Sequence, residues 1–523
     1  MTGPLRDWAW NGDRAATPDD LGVPGDLDAT TLLLERNVTR GLGSAVAVRE
    51  VGGDVLTYRE LRDLVTETAA GLPWPPGSRV VVHLGHTVEF IVCALALLRA
   101  GLVLVPVPST ADLREMLEIV EDAGPVAVLS HRARELPSGC DVVQVGWTGP
   151  LTERLAALLV RPDRRGPDRP RRRTDEAYWL YTSGTSGRPK AARHRHQDIA
   201  CAAVLWAGNV LDLGRAEKCL SLSPVTHSFG LAAGCLFPLW AGAEVVVVRA
   251  THHRAIWQAI RDEGVGRLFG VPRHFLSLLD RATRDGHRIR AAYSSGEYLP
   301  PELQQRFTET LGVPLLDAMG SSETFTNPIS STASAWRPGS SGRVIPGVTA
   351  RLVAGGAVVE GAGTGILEIA SAANAFGYWN RSAASSRTFR DGYCHTGDIF
   401  RRDADGFLYY QGRDSSRFKV FGEFVDPLRL EVAARRVPGV MDAVAFEVPG
   451  RGGLAACGMA LILTPGTDEP GTAGAVRAEV LSGVGNFAVP HSVFVVPEFP
   501  TTHSGKLRRA AMAAFAPAHG RTY

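Results

Sequence analysis

Strand-like apolar runs alternate with helix-like ones through the first two-thirds of this chain, and that alternation leaves few architectures open. SRVVVHLG (Ser78–Gly85) leads into VEFIVCALALLRAG and then LVLVPVP; PVAVLS, YWLYTSG, KCLSLSP and AEVVVVR (Ala243–Arg249) come next. Short β-rich runs spaced by helical patterns argue for α/β layers with largely parallel sheets. The most apolar stretch, Phe90 to Pro108, is interrupted by Arg99 and Gly101 and closed by prolines. A membrane span needs ~20 mostly apolar residues without such breaks. A buried helix followed by a buried strand is expected there, with no membrane partner. MTGPLRDWAWNGDR, at the start, has Asp and Trp where a secretory signal needs a continuous apolar run, so a soluble cytoplasmic protein is expected.

The chain has 523 residues, too many for a single small module. From Ala350 the pattern turns β-rich with Gly-rich turns, and its character changes again after GRDSSRFK (Gly412–Lys419). The C-terminal remainder reads β-α-β-β-α, enough for a small α+β domain. This places a boundary near Asp414, giving domains 1–413 and 414–523. Lys and Arg total 56 against 54 Asp and Glu, a net charge of +2, which is no footprint for nucleic acid. The one strong charge run, Arg161–Thr174, is diluted by Pro, Gly and acidic residues and reads as a solvated loop. Seven scattered cysteines, never in a CxxC pair, argue against a disulfide framework or structural zinc and fit a reducing compartment.

YTSGTSGRPKAA (Tyr181–Ala192) carries the first chemical signal. An apolar strand runs directly into small hydroxylated residues. Thr182, Ser183, Thr185 and Ser186 offer donors, Gly184 and Gly187 let backbone N–H groups approach an anion, and Lys190 adds a cation. It is a phosphate-binding loop in physical terms. It is not a Walker A loop, because Ala191 follows Lys190 and no Ser or Thr is there for magnesium.

This segment resembles the phosphate loop of the acyl-adenylate-forming superfamily, which includes acyl- and aryl-CoA ligases, peptide-synthetase adenylation domains and luciferases. SSGEYLP (Ser294–Pro300), LLDAMGSSET (Leu315–Thr324), GYWN (Gly377–Asn380), YCHTGDIF (Tyr393–Phe400), GRDSSRFKVFGEFVDP (Gly412–Pro427) and PTTHSGKLRR (Pro500–Arg509) succeed it in the family's order. The wording of the Ser-Ser-Gly-Glu, Gly-Ser-Ser-Glu and Tyr-Trp-Asn segments is most similar to benzoate-CoA ligases. The resemblance implies a large α/β N-terminal adenylate-forming domain of layered sheets and helices, with a small mobile α+β C-terminal domain. It implies ATP and Mg²⁺, an aromatic carboxylic acid activated as acyl-AMP, and CoA as the default acceptor. A carrier-protein thiol, an amine, or nitrite in a diazotisation of an amino-aryl acid are alternatives. A non-catalytic ATP- or acyl-binding protein is a further alternative, against which the intact Lys190, Glu323, Asp398 and Lys506 set argues.

The resemblance also assigns residues. Glu323 becomes a magnesium ligand, since hard cations prefer oxygen; on its own it reads equally as a helix-start glutamate beside a Ser321 cap. Ser322 becomes the hydroxyl that contacts the acyl carboxylate or α-phosphate. Asp398, whose neighbours suit a tight turn, takes the ribose hydroxyls with Arg413. Gly296, Glu297, Ala318 and Met319 form the adenine shelf, with methionine where an aromatic residue is common. His227, which opens an apolar helix-like run, Phe229, Gly230, Ala233, Ser295 and Gly320 line an acyl pocket suited to an aromatic ring. Lys506, by itself a solvated basic residue, matches the family's catalytic lysine. Lys419, Phe421 and Gly422 form the acceptor tunnel.

The chain departs from the family pattern in three places. Ser415 and Ser416 replace the acidic hinge residues. Phe421 stands where CoA ligases carry Ser or Gly, and its ring either narrows the tunnel or turns aside into packing. Ile366 occupies the position of an expected glutamate, with Glu368 two residues on.

Overall fold

The structure, a computed structural model, describes residues 14–523 except 109–110, 112, 133–139, 160–170, 183–188, 250–251, 280–281, 283–285, 421–422, 451–453 and 502–506. Two compact units emerge. The first comprises 14–351, 368–396 and 402–409; the second comprises 352–367, 397–401 and 410–523.

The first unit contains the expected parallel sheets. In a nine-stranded sheet, Val46–Glu50, Glu244–Val247, Lys218–Ser221, Arg267–Gly270, Ala291–Ser295 and Leu315–Met319 run parallel in that spatial order. Short antiparallel strands close both edges. A six-stranded sheet holds Asp141–Gln144, Ala127–Ser130, Arg79–His83, Val103–Pro106 and Glu176–Thr182 in parallel. Its edge strand, Lys190–Arg195, is antiparallel to Glu176–Thr182.

The most apolar stretch folds as the helix Val88–Ala100 followed by the strand Val103–Pro106. The Thr87 side chain caps the helix by accepting from the Phe90 amide, and Gly101 ends it at φ +72°. Thirteen residues at ~1.5 Å each give ~20 Å of helix, short of a bilayer core. Among the described residues no helix is long and apolar enough to cross a membrane. All seven cysteines are free, and six are buried.

Residues 349–413 are β-rich, as expected. The rest of the second unit is richer than β-α-β-β-α. A hairpin, Phe418–Val420 with Glu423–Val425, precedes the first helix, Pro427–Arg435. A four-stranded sheet then combines Val440–Pro449, Ala455–Leu463, Ser492–Val495 and a last strand, Arg521–Thr522. Strand alternation explains how this small sheet buries both faces. Ala443, Ala445, Met459 and Leu461 face Leu430 and Ala434 of Pro427–Arg435 and Val476 and Val480 of Glu469–Gly483. Val444, Phe446, Ala460 and Phe494 face Met512 and Ala516 of the helix Met512–His519.

Candidate active site

Lys190 begins the edge strand that returns from the phosphate loop, paired with Thr182 across the ladder. Its Nζ sits 4.5 Å from the centroid of the Tyr378 ring. The hydroxyl of that tyrosine donates to Glu323 Oε1 at 2.7 Å. One side chain thus touches both the candidate phosphate cation and the magnesium candidate. Burial, and then the neighbouring Glu323 carboxylate, push the Tyr378 phenol well above its ordinary range, so it stays a donor. Among the described residues Glu323 Oε2 has no hydrogen-bond partner. A free hard oxygen on a carboxylate oriented through its other oxygen fits a Mg²⁺ ligand, an ion that takes few protein ligands beside substrate phosphates.

Glu323 lies in a tight turn after the Leu315–Met319 strand, not at a helix start. The Phe325 amide donates to the Ser321 carbonyl at 3.0 Å, closing the turn, and the Glu323 amide reaches Ser321 Oγ at 3.2 Å. Phe325 adopts φ +49°, a left-handed conformation that costs a bulky residue roughly 1–3 kcal/mol. Its buried ring packs 4.6 Å from Tyr178, which offsets that cost. Ser322 Oγ is 3.5 Å from Ser228 Oγ, which brings the GSSE turn beside the helix that follows His227. His227 occupies the N-cap position of that helix, Ser228–Leu231, as its place before the apolar run suggested.

The adenine-shelf candidates lie at the C-terminal ends of two adjacent parallel strands, Ala291–Ser295 and Leu315–Met319, with Ser295 opposite Ala318. In open α/β sheets that is where ligands bind. Gly296 takes φ +90° at the exit, followed by Glu297. Of the acyl-pocket candidates, Phe229 is half-buried, with its ring 6.1 Å from Trp206 and 6.3 Å from Phe269. Ala233 is fully buried. A side chain at Gly230 would meet the Pro224 carbonyl oxygen at 1.9 Å, so this glycine lets the helix fold back on its own loop. Ser295 Oγ donates to Asn327 Oδ1 at 2.8 Å. A Cβ at Gly320 would fall 2.4 Å from the same oxygen.

In the second unit Asp398 is buried, and Arg413 Nε donates to its Oδ1 at 2.9 Å. Here the expectation of a tight turn fails. Asp398 lies within the continuous strand Tyr393–Arg402, because Gly397 absorbs the bend at φ +72° without ending it. Lys419 Nζ sits 4.6 Å from the Phe424 ring centroid. Ser183, Gly184, Thr185, Ser186, Gly187, Phe421, Gly422 and Lys506 lie outside the described residues.

The sequence pattern alone leaves three contributors unseen. Tyr378 enters it only as part of a fingerprint. His194 shares the strand face of Lys190, four residues on, and its Nε2 meets the Ser322 carbonyl oxygen at 2.7 Å. Asp122 accepts from the Tyr181 hydroxyl at 2.8 Å and pairs with Arg381 at 2.6 Å, tying the strand before the phosphate loop to the residues after GYWN. Period-two spacing points to His194; nothing local points to Asp122.

The AMP-binding enzyme family profile matches residues 34–379, and the AMP-binding enzyme C-terminal domain profile matches residues 429–506. The chain belongs to the AMP-binding enzyme family. It is 29% identical to a benzoate–CoA ligase of Thauera aromatica over 95% of this chain and 98% of that protein. A benzoate-CoA ligase from Burkholderia xenovorans LB400 has the same fold, with a TM-score of 0.83 at 25% identity over 93% of this chain and 99% of that one. An anthranilate-CoA ligase solved with anthranoyl-AMP gives a TM-score of 0.85 over 96% of this chain and 99% of that one; at 23% identity that likeness concerns the fold.

Proposed function

We propose that this protein is an ATP-dependent, AMP-forming aryl-acid ligase that activates a benzoate- or cinnamate-like acid and passes it to CoA. The observation that carries the reading is the contact chain Lys190–Tyr378–Glu323. Full-length similarity to a benzoate–CoA ligase supports the acid and the acceptor.

In the first half-reaction a carboxylate oxygen of the acid attacks the α-phosphorus. The bond from that phosphorus to the α,β-bridging oxygen breaks, and pyrophosphate leaves. Two anions meet, so catalysis needs cations placed where charge develops. Lys190 serves the departing phosphates, and Lys506 holds the acyl carboxylate and bridging oxygen in line. Bound at Glu323, Mg²⁺ supplies further neutralisation of the leaving pyrophosphate. Ser322 contacts the acyl carboxylate or α-phosphate, and Asp398 with Arg413 takes the ribose. In the second half-reaction the CoA thiolate attacks the acyl carbon and AMP departs with the electron pair of the broken C–O bond. A small C-terminal domain hinged near Asp414 presents Lys506 for the first step and the Lys419–Glu423 segment for the second. The free cysteines fit a cytoplasmic setting.

Pyrophosphate exchange with a panel of acids tests the first half. Benzoate- or cinnamate-like acids should exceed octanoate in kcat/KM. The margin should be clear but not absolute, because a methylene is worth only ~1–3 kcal/mol in discrimination. Faster exchange with medium-chain fatty acids rejects the aryl reading. Mass spectrometry of products formed with CoA or with nitrite identifies the acceptor. Phe421, where CoA ligases carry Ser or Gly, argues for an acceptor other than CoA only if its ring narrows the tunnel rather than turning aside into packing.

A further inference from the structure

Lys190 opens the edge strand of the six-stranded sheet, Glu323 lies in the turn after a strand of the nine-stranded sheet, and the two are 133 residues apart in sequence. The segment 375–379 spans them. On one side it hydrogen-bonds to the Lys190–Arg195 strand: the Trp379 amide donates to the Ala191 carbonyl at 3.0 Å, and the Arg193 amide to the Gly377 carbonyl at 3.0 Å. On the other side the Ala375 amide donates to the Glu323 carbonyl at 2.8 Å. Tyr378 lies between these anchors. It is 6% exposed, and its amide is held by Ser385 Oγ at 2.9 Å. Its ring face lies against Lys190 Nζ, and its hydroxyl is on Glu323 Oε1.

We propose that Tyr378 is the positioning residue that sets Lys190 and Glu323 at a fixed spacing, orienting the Glu323 carboxylate so that its second oxygen faces Mg²⁺ of the bound nucleotide. This rests on the assignment of Glu323 as the metal ligand. Two different contacts divide the task. The ring seats the ammonium through its electron-rich face. The hydroxyl fixes the carboxylate rotamer, as partners of metal ligands commonly do; removing such a partner costs ~10–100-fold in metal affinity or activity.

The two contacts are separable by substitution. Tyr378→Phe keeps the ring and removes only the hydroxyl. Tyr378→Leu removes both. Calorimetric titration of the full chain with ATP, in EDTA and then in MgCl₂, reads the two effects without turnover. For Tyr378→Phe, metal-free ATP affinity should match wild type, while the gain on adding Mg²⁺ should shrink ~10-fold or more. For Tyr378→Leu, the metal-free affinity should fall as well. In pyrophosphate exchange, Tyr378→Phe should raise the KM for ATP at limiting Mg²⁺, and excess Mg²⁺ should recover it. Glu323→Gln supplies the control. If it keeps the full Mg²⁺ gain, the metal assignment fails and this inference fails with it. If Glu323→Gln loses the gain and Tyr378→Phe retains it, the inference alone is overturned. Equal losses with and without Mg²⁺ in Tyr378→Phe also overturn it, because they mark a purely structural role.

Discussion

His194 Nε2 donates to the main-chain carbonyl of Ser322 at 2.7 Å, while Nδ1 of the same ring lies 3.2 Å from Asp198 Oδ2. The ring is fully buried and stacks on Tyr178 at 4.7 Å with an interplanar angle of 3°. The strand that begins with Lys190 therefore holds the GSSE turn from a second point. His194→Leu keeps much of the volume and removes the donor, leaving a half-buried carbonyl without its partner. That should cost ~1–3 kcal/mol of stability. Pyrophosphate exchange should fall, because Ser322 and Glu323 move with the turn. His194→Gln can still donate and should recover part of the rate. Melting temperatures and exchange rates of the two variants check this. Equal exchange by His194→Leu and wild type would show that the turn holds its shape unaided.

Asp317 gives a pH dependence. Its carboxyl is buried beside the adenine-shelf candidate Ala318, with Oδ2 accepting from Ser341 Oγ at 2.7 Å and Oδ1 lacking a partner among the described residues. Burial pushes it up to about 7, against the downward pull of Ser341 and the Ala318 amide. An unfolded Asp ionises near ~3.9. Between these values the folded state keeps a proton that the unfolded state has lost, so stability falls as pH rises across the window. Each pH unit there is worth at most ~1.4 kcal/mol. Asp317→Asn removes the titration. Its unfolding free energy should change less than that of wild type from about pH 4.5 to about pH 7. Urea melts at several pH values measure this, and parallel curves for the two proteins would contradict it.

What the sequence made legible came from local pattern. Alternation placed the Glu176–Thr182 strand and the buried helix–strand pair at Val88–Pro106, because period and burial are properties of neighbouring residues. The motif order brought out Lys190, Glu323 and Asp398. Tyr378 and Asp122 were not legible, since their partners come through pairing between distant segments. Asp122 meets Arg381 from 259 residues away. The Asp398 turn failed for a local reason: Gly-Asp suits a turn, yet one glycine in the left-handed region can also bend a strand that continues. The last strand, Arg521–Thr522, is two residues long and polar, and such a segment carries no periodic signal.

The role proposed for Lys506 predicts that the two half-reactions can be separated. On either side of Lys506, Thr501 and Leu507 form an antiparallel bridge. Arg509 donates to the Ala445 carbonyl at 2.7 Å and pairs with Glu431, which anchors this segment to the C-terminal sheet. A single preorganised electrostatic group can be worth ~10²–10³ in rate. Lys506→Ala should therefore collapse acyl-AMP formation, while thioester formation from supplied acyl-AMP survives. Equal loss in both steps would remove Lys506 from the role given to it.

Substitution of Phe421 tests which acceptor is used. In the hairpin beside Phe421, Phe418 and Val420 are buried, Lys419 is exposed, and Phe424 is 60% exposed with Lys419 Nζ over its ring. On the proposed assignment adenylation uses Lys506 and transfer uses the Lys419–Glu423 segment, so a change at Phe421 should leave pyrophosphate exchange nearly unaltered. If the phenyl ring narrows the pantetheine path, wild type should form acyl-AMP readily and acyl-CoA poorly. Phe421→Gly should then raise CoA transfer, because it removes the ring from the thiol's route. If the ring turns aside, wild type should transfer to CoA efficiently and the variant should gain nothing. Acyl-CoA formation by both proteins, at saturating acid and ATP, distinguishes the cases. Poor wild-type transfer rescued by Phe421→Gly points to a smaller acceptor, such as an amine or nitrite, as the natural one. Efficient wild-type transfer with no gain on substitution makes CoA the acceptor and leaves Phe421 a packing residue.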